Sequence, residues 1–480
     1  MVGKRKLAVG LLALLTLSVM GWRCNDKKEV TPTPPPPSTP VDVTFYLTKP
    51  DKSVLFTAQE NSVTVATNTN LPQIEIDPAT TFQTMDGFGF ALTGGSAMHL
   101  YNMSAAKRHA LLTELFDYND NNIGISYLRI SIGASDLDAS VFSYDDLPSG
   151  ETDVNMDHFS LAPDRQYLIP ILKEILTINP NIKILGSPWS APLWMKTNNN
   201  SVGGSLKQEY YDAYAKYFVK YIQGMAQEGI TIDAITIQNE PLHDGNNPSM
   251  YMPASEQAAF IKSSLGPAFK TAGIQTKIIV YDHNCDRTDY PTEIYQDADA
   301  SQYVDGAAFH LYAGSINSLA ALHNSYPDKN LYFTEQWIGA PGDFPNDLKW
   351  HTRELIIGAS RNWCKNVLEW NLAADSNLQP HTDGGCSQCL GALTIDGDNV
   401  TRNPAYYIIA HASKFVRPGS VRISSNQPDN LPNVAFKTPD GSTVLIVLND
   451  ATTSQSFNMK LGVETVTSTL AGGAVGTYIW

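Results

Sequence analysis

The stretch Ile235-Thr236-Ile237-Gln238-Asn239-Glu240-Pro241 has the pattern of a short buried strand that ends in a carboxylate. Leu331-Tyr332-Phe333-Thr334-Glu335 repeats this arrangement later in the chain. A single glutamate after a strand is usually a surface residue or a helix cap. Two such glutamates in one chain instead predict a pair of carboxylates at one edge of a parallel sheet.

The sequence around these stretches alternates short β-rich runs with longer amphipathic runs from residue 82 to 416, which indicates repeated β/α units. Ser104–Phe116, which starts at a capping serine, and Tyr210–Met225 have the apolar spacing of helices packed on a sheet. Eight units predict a closed (β/α)8 TIM barrel with function at the carboxyl ends of its strands. The candidate strands are Phe82–Phe90, Ile125–Ile132, Ile182–Ser187, Ala234–Gln238, Lys277–Tyr281, Gly306–His310, Leu331–Thr334 and Val367–Asn371.

Both flanks of this region change to period-two alternation with Gly, Asn and Asp turns, which is typical of antiparallel strands. We therefore expect one accessory β-sandwich built from both chain ends, with N-terminal strands in 42–81, the barrel in 82–416 and C-terminal strands in 417–480. The candidate strands are Val43–Leu47, Ser62–Ala66, Gln73–Ile76, Val421–Ser424, Val434–Lys437, Thr443–Leu448, Ser456–Leu461 and Val475–Trp480.

The N-terminus has the features of an export signal over residues 1–24, with Lys4-Arg5-Lys6 followed by the apolar run Leu7–Met20. Residues 25–41 form a proline-rich spacer. Cys24 between them resembles the lipidated cysteine of a bacterial lipoprotein, although Arg23 is unusual before such a cysteine. We expect an exported protein, held at the cell surface or in the periplasm if Cys24 is lipidated and secreted otherwise.

Composition restricts the class of partner. The chain has 480 residues, of which 42% are hydrophobic and 17% charged, as expected of a globular protein. The excess of 48 Asp and Glu over 33 Lys and Arg gives a net charge of -15 that would repel a phosphate backbone. Nucleic acid is therefore excluded as an expected partner, and we expect a monomer.

Apart from Cys24, the chain contains four cysteines. Cys386-Ser-Gln-Cys389 has the spacing of half a zinc site, but no second pair supplies the other ligands, so we predict a local disulfide and no metal. Cys285 and Cys364 read as free buried thiols.

Paired carboxylates on one rim match the needs of glycosidic bond hydrolysis. One carboxylic acid protonates the leaving oxygen, while the other carboxylate attacks the sugar or activates water. The distance between them decides whether configuration is retained or inverted. This chemistry requires neither metal nor nucleotide, so we expect no cofactor.

Eight short motifs in order carry a resemblance to a known family. From about residue 82 to the C-terminus the chain resembles glycoside hydrolase family 30, which includes lysosomal glucosylceramidase and microbial β-1,6-glucanases. The resemblance implies a retaining enzyme with a (β/α)8 barrel and a side β-domain. The motifs are Asp86-Gly87-Phe88-Gly89, Leu128-Arg129-Ile130, Ser135-Asp136, Ser187-Pro188-Trp189-Ser190-Ala191-Pro192, Gln238-Asn239-Glu240-Pro241, Phe309-His310-Leu311-Tyr312, Thr334-Glu335 and Trp370-Asn371-Leu372.

The resemblance implies Glu240 as general acid/base and Glu335 as nucleophile, with roughly 5 Å between their carboxyl groups. It implies that Asn239 binds the sugar 2-hydroxyl, the alternative being a cap on the following turn. Arg129 and His310 match supporting residues that orient the nucleophile and its neighbours.

The remaining matched positions concern the sugar itself. Asp136 and Trp189 match positions that grip the far hydroxyls of a glucose ring, and Trp370 matches one that lines the same subsite. A place in the core is the alternative for each tryptophan. Tyr312 is expected in the substrate site, within reach of the nucleophile.

The chain departs from the glucosylceramidase pattern in the loop Gln379–Cys389, where His381 and Asp383 either bind sugar or only shape the loop. Loops set specificity on this fold. We expect an endo-β-1,6-glucanase, with glucosylceramide as the alternative substrate and xylan or fucosides as a third. A glycan-binding surface protein without catalysis is the alternative from another class.

Overall fold

The strand before Glu240 belongs to a closed parallel barrel, as the sequence predicted. The computed structural model describes residues 42–60 and 62–480. Eight strands pair in chain order, and the eighth pairs with the first to close the barrel. They are β1 (Gly87–Ala91), β2 (Tyr127–Ser131), β3 (Lys183–Ser187), β4 (Ala234–Thr236), β5 (Lys277–Asn284), β6 (Val304–His310), β7 (Asn330–Glu335) and β8 (Cys364–Asn371).

Helices surround the barrel and include both that the sequence singled out. Ala105–Phe116 begins just after Ser104 and buries Leu111, Leu112 and Leu115 against the sheet. Helical segments lie at Gly94–Asn102, Ala105–Phe116, Leu168–Ile178, Leu193–Met195, Gln208–Tyr210, Tyr211–Gln227, Ala254–Phe260, Ile261–Leu265, Gly266–Ala272, Asp289–Gln296, Ala298–Ser301, Ser318–Ser325, Phe344–His351, Thr352–Ala359 and Pro404–Ser413.

The interior of the barrel is packed and closed below the site. Seven buried side chains, one from each of strands β2 to β8, form a single cluster there. Such a layer makes the barrel a solid core, so that ligands reach only its rim. The seven are Tyr127, Leu185, Ala234, Ile279, Ala308, Tyr332 and Leu368.

The second domain uses both ends of the chain, as predicted. The rings of Phe457 and Tyr478 meet at 6.2 Å although four strands separate theirs in the sheet, so the sheet folds over into two facing layers. The strand order is Thr57–Ala58, Thr44–Thr48, Val475–Ile479, Thr443–Leu448, Asn433–Lys437, Val421–Ser425, Gln73–Thr84, Gln455–Leu461, Glu464–Leu470, Thr64–Val65.

Strand bounds differ from the sequence prediction at several places, of which two concern the sandwich. Phe82 lies in the sandwich strand Gln73–Thr84, not in the barrel, because the chain bends before Gly87, whose φ of +147° interrupts the extended run. Glu464–Leu470 is a strand that the prediction missed, since the polar Ser468 lies on its buried face and interrupts the apolar alternation. Its pairing with Gln455–Leu461 is a hairpin.

Short strands in the loops above β7 and β8 bring the rim together. Ile338–Gly339 pairs with Cys389–Leu390, which ties the loop after Glu335 to the end of the loop Gln379–Cys389. A three-stranded sheet of Ala373–Ala374, Leu393–Asp396 and Asn399–Arg402 follows β8. These pairings fix the rim around the site.

The N-terminal export signal (1–24) and spacer (25–41), with Cys24, lie outside the described residues. Within the described part of the chain, no helix combines the length and the apolar character needed to cross a membrane. Cys285 and Cys364 are buried free thiols, as predicted.

Phe45→Ala tests how the two chain ends hold the sandwich. Phe45 is buried and stacks on Tyr478 at 4.5 Å, so its loss leaves a cavity between the first and last strands. We expect the free energy of unfolding to fall by about 3–5 kcal/mol, measured by denaturant titration. Val463→Ala, at a fully exposed residue of the same domain, should change it by less than about 0.5 kcal/mol. Equal effects would contradict the packing argument.

Candidate active site

Glu240 and Glu335 approach each other at the carboxyl end of the barrel. Glu335 is the last residue of β7, and Glu240 follows β4 with a φ of +46°, held by a hydrogen bond from its amide to the carbonyl of Asp282. One oxygen of each carboxylate and one ring nitrogen of His310 lie within 4.8 Å of one another. Retaining glycosidases have carboxyl groups about 5–5.5 Å apart, and inverting ones about 6.5–9.5 Å. The observed spacing fits the retaining arrangement.

Glu335 is fixed by two donors. Arg129 Nη1 donates to Oε2 at 2.5 Å, and the hydroxyl of Tyr312 donates to Oε1 at 3.0 Å. Arg129, fully buried in β2, also donates through Nη2 to Oδ1 of Asn239 at 2.6 Å. Because Oδ1 of Asn239 is thus occupied, its amide NH2 is the group left to donate to a ligand. The hydrogen bonds that Arg129 and Tyr312 donate favour the ionised form of Glu335.

Asp282 is the central acceptor beneath the two glutamates, and the sequence prediction missed it. Its carboxylate accepts hydrogen bonds at 2.7–2.8 Å from Arg129 and from three hydroxyls, those of Ser187, Thr236 and Thr334. Burial by itself would raise the pKa of Asp282, but Arg129 and His310 hold it well below the usual range. An acid immediately after the predicted strand Lys277–Tyr281 was the available signal.

His310 links the acid/base candidate to this acceptor. Its Nδ1 lies 3.1 Å from Oε1 of Glu240 and its Nε2 lies 3.1 Å from Oδ1 of Asp282. Burial would lower the pKa of His310, but the charge of Glu335 and the hydrogen bonds to Asp282 and Glu240 raise it to about 9. His310 is therefore a cation at neutral pH.

The charges of the cluster bear on the protonation of the two glutamates. Three carboxylates, of Glu240, Asp282 and Glu335, face the two cations Arg129 and His310. Burial and the neighbouring Glu240 charge raise the pKa of Glu335 against the opposing effect of His310 and Arg129. Burial would also raise the pKa of Glu240, but the hydrogen bond and the charge of His310, with smaller effects of nearby histidines, together lower it. Two carboxylates this close titrate as a pair and share one proton after the first ionisation. A retaining mechanism needs this proton on Glu240, the opposite of the order that the two shifts give; because the carboxylates titrate as one unit, the proton belongs to the pair and not to Glu335 alone.

Two tryptophans and Asp136 form one wall of the site. The rings of Trp189 and Trp370 lie 5.4 Å apart, and the Arg129 guanidinium lies 4.8 Å from the first and 5.6 Å from the second. Asp136 is buried, and burial with the charge of Glu335 raises its pKa to about 7. The wall offers apolar ring faces beside a carboxyl group, which suits a sugar.

The loop after β8 holds this wall in place. Cys386 and Cys389 form the predicted local disulfide, and the amide of Cys386 donates to Oδ2 of Asp136 at 3.1 Å. The side chains of His381 and Asp383 do not line the pocket: His381 bonds within the loop, and Asp383 offers its carbonyl to the Asn247 side chain. The geometry agrees with the loop-shaping alternative for both.

A pocket of 360 Å³ unites these residues. It includes Asp136, Trp189, Asn239, Tyr312 and Trp370 beside the two glutamates, while Arg129 and His310 lie beneath it. Five lining residues were not expected from the sequence. They are His243, Asn246, His283, Asn284 and Trp337.

Comparison with known families agrees with this geometry. The Glycosyl hydrolase family 30 TIM-barrel domain matches residues 85–416, and the Glycosyl hydrolase family 30 beta sandwich domain matches residues 419–478. The chain belongs to glycoside hydrolase family 30.

Relatives within and around this family have two kinds of name. An endo-1,6-beta-D-glucanase of Neurospora crassa is 36% identical over 395 residues, 78% of this chain and 81% of the relative. A putative glucosylceramidase of Caenorhabditis elegans is 31% identical over 401 residues, 78% of this chain and 76% of the relative. A solved endo-β1,6-glucanase structure superposes with a TM-score of 0.84 at 39% identity, covering 92% of this chain and 99% of that one.

Cys386→Ser with Cys389→Ser tests whether the disulfide positions Asp136. Without the cross-link, the loop holds the Cys386 amide less firmly against the Asp136 carboxylate. We expect the KM for a glycoside substrate to rise about 5- to 10-fold with a smaller change in kcat. Dithiothreitol should reproduce this change in the native protein and leave the double variant unaffected. Ser387→Ala keeps the disulfide and should match the native KM; a double variant with native KM would contradict the prediction.

Proposed function

We propose that this chain is a retaining β-glycosidase that hydrolyses β-1,6-linked glucan internally. Glu240 acts as general acid/base and Glu335 as nucleophile. The observation that carries the proposal is the approach of the two carboxylates and His310 within 4.8 Å. The relatives named for endo-1,6-β-glucanase activity, at 36% and 39% identity, support this substrate over others.

In the first step, Glu335 attacks the anomeric carbon and Glu240 gives its proton to the leaving oxygen, which breaks the glycosidic bond and forms a glycosyl ester on Glu335. In the second, Glu240 takes a proton from water, the water oxygen attacks the anomeric carbon, and Glu335 leaves as a carboxylate. Arg129 and Tyr312 restrain the nucleophile in both steps. The free amide NH2 of Asn239 binds the sugar 2-hydroxyl.

The glycone is bound by the tryptophan wall. Asp136 and Trp189 grip the far hydroxyls, and Trp370 lines the same subsite. His310 is a supporting residue that sets the charge beside Glu240. The alternative substrate, glucosylceramide, is favoured by relatives named putative glucosylceramidase.

Export of the enzyme is part of the proposal and rests on residues 1–41. A glucan outside the cell is within reach only of an exported enzyme. Lipidation of Cys24 and plain secretion are alternative predictions from the sequence. The monomeric state is a further prediction from the sequence.

Glu240→Ala and Glu335→Ala test the two roles. We expect glucan hydrolysis to fall about 10²- to 10⁴-fold without the acid/base and about 10⁴-fold or more without the nucleophile. Azide with an aryl β-glucoside should restore turnover, and the products should differ: the β-glucosyl azide from Glu240→Ala and the α-glucosyl azide from Glu335→Ala. The exposed Glu464→Gln is the control. Undiminished hydrolysis by either alanine variant would refute the assignment.

Product analysis on four substrates tests the choice of glucan. We expect oligosaccharide release from pustulan, a β-1,6-glucan, and little from laminarin, xylan or glucosylceramide. Chromatography of early products should show a range of lengths, because an internal cut precedes the short end products. Release of sugar only from glucosylceramide or only from xylan would overturn the substrate, and no release from any β-glucoside would favour binding alone.

A further inference from the structure

The pocket has two dissimilar walls. Trp189, Trp370 and Asp136 lie at the ends of β3, β8 and β2, respectively, and give a side with apolar ring faces beside a carboxyl group. Across the barrel, the ends of β4 and β5 carry a polar side with two histidines and two asparagines. Those four are His243, Asn246, His283 and Asn284. The glutamate pair belongs to the same pocket, and the proposed glycone site uses only the tryptophan side, which leaves the polar wall without an assigned role.

The position of the polar wall beside Glu240 indicates which part of the substrate would contact it. A general acid protonates the oxygen that leaves, so the leaving part of the substrate begins beside that acid. Nε2 of His283 lies 3.8 Å from Oε1 of Glu240, which is too close for a water molecule to stand between them. His243 donates its amide to the carbonyl of Glu240 and stands at the exposed rim. A leaving group that departs from Glu240 therefore meets this wall.

The polar wall is also built to hold fixed orientations. Oδ1 of Asn284 accepts the Tyr312 amide at 2.9 Å, which leaves its NH2 group to donate. His283 is 8% exposed, and its ring packs against those of Tyr281 and His310. Burial lowers the pKa of His283 to about 4, so at neutral pH the imidazole is uncharged and has both a donor and an acceptor nitrogen.

We infer that His283 and Asn284, with His243 and Asn246 at the rim, form the subsite for the leaving glucosyl unit. The inference rests on the proposed function and extends it to the leaving-group side. Its ligand is a neutral pyranose whose hydroxyls exchange hydrogen bonds with the imidazole and the amide. In a 6-linked unit an exocyclic methylene separates the glycosidic oxygen from the ring, which carries the ring hydroxyls outward along this wall.

His283→Ala and Asn284→Ala test the subsite by comparing two leaving groups. The leaving group is a sugar in gentiotetraose and nitrophenolate in 4-nitrophenyl β-gentiobioside. We expect the ratio of kcat/KM for the sugar over the aryl substrate to fall about tenfold in each variant, one lost hydrogen bond apiece. His283→Gln, which keeps a donor and an acceptor, should recover part of the ratio. An equal fall on both substrates would overturn the subsite and make His283 a support of Glu240.

Tyr251→Phe is the matched control, since Tyr251 is exposed on the loop after β4 and does not line the pocket. Its ratio should equal the native one. The pH dependence of kcat/KM on the aryl substrate adds a second readout. If His283→Ala shifts one limb of that pH profile but leaves the ratio of sugar to aryl kcat/KM unchanged, the inference is also overturned.

Transfer to sugar separates this inference from the proposed function. With an aryl β-glucoside as donor and gentiobiose as acceptor, the acceptor hydroxyl attacks the glucosyl ester, gives its proton to Glu240 and frees Glu335. We expect the transferred fraction to fall in both alanine variants relative to hydrolysis. If the native enzyme cuts no β-1,6-glucan, the substrate proposal fails. If the two alanine variants nevertheless transfer less than the native enzyme to other β-glucosyl acceptors, the subsite stands. Unchanged transfer would overturn the subsite.

Discussion

The buried guanidinium of Arg129 is the constraint on which the site depends. It lies wholly inside the barrel, where a lone charge would be very costly, and is stabilised because the carboxylates of Asp282 and Glu335 accept its hydrogen bonds at 2.8 and 2.5 Å. Arg129 and these two partners come from β2, β5 and β7, so the ion cluster exists only in the closed barrel. Asn239 is oriented by the same group at 2.6 Å. One cation thus positions a nucleophile and a sugar ligand together.

The cluster also sets the electrostatics of the reaction. Asp282 balances Arg129 and His310 from below, which leaves the glutamate pair to share a proton above. Rigid neighbours flank the glutamate pair. On one side is the tryptophan wall, where the Cys386 amide holds Asp136 by a hydrogen bond, and on the other is the polar wall with His283 and Asn284. Preorganised donors of this kind stabilise charge without reorganising during reaction.

Much of this site was predictable because parallel strands end on one rim. An acid directly after an apolar run marked Glu240 and Glu335, and the same rule, applied to the predicted strand Lys277–Tyr281, would have marked Asp282 as well. The strand Glu464–Leu470 was missed for another reason: Ser468 lies on its buried face between Val466 and Leu470, so the apolar alternation is interrupted. His283 and Asn284 were missed because no local pattern marks a pocket wall.

The sequence alone determined the kind of chemistry, since apolar runs of strand length followed by acids require a barrel rim with carboxylates. It also determined that Cys386 and Cys389, three residues apart, can form a local bridge. Only the tertiary structure decided that oxygens of Glu240 and Glu335 come within 4.8 Å, and that the loop after β8 reaches Asp136. Such distances join residues far apart in the chain, and they are fixed by barrel closure and loop packing, which no short stretch of residues encodes.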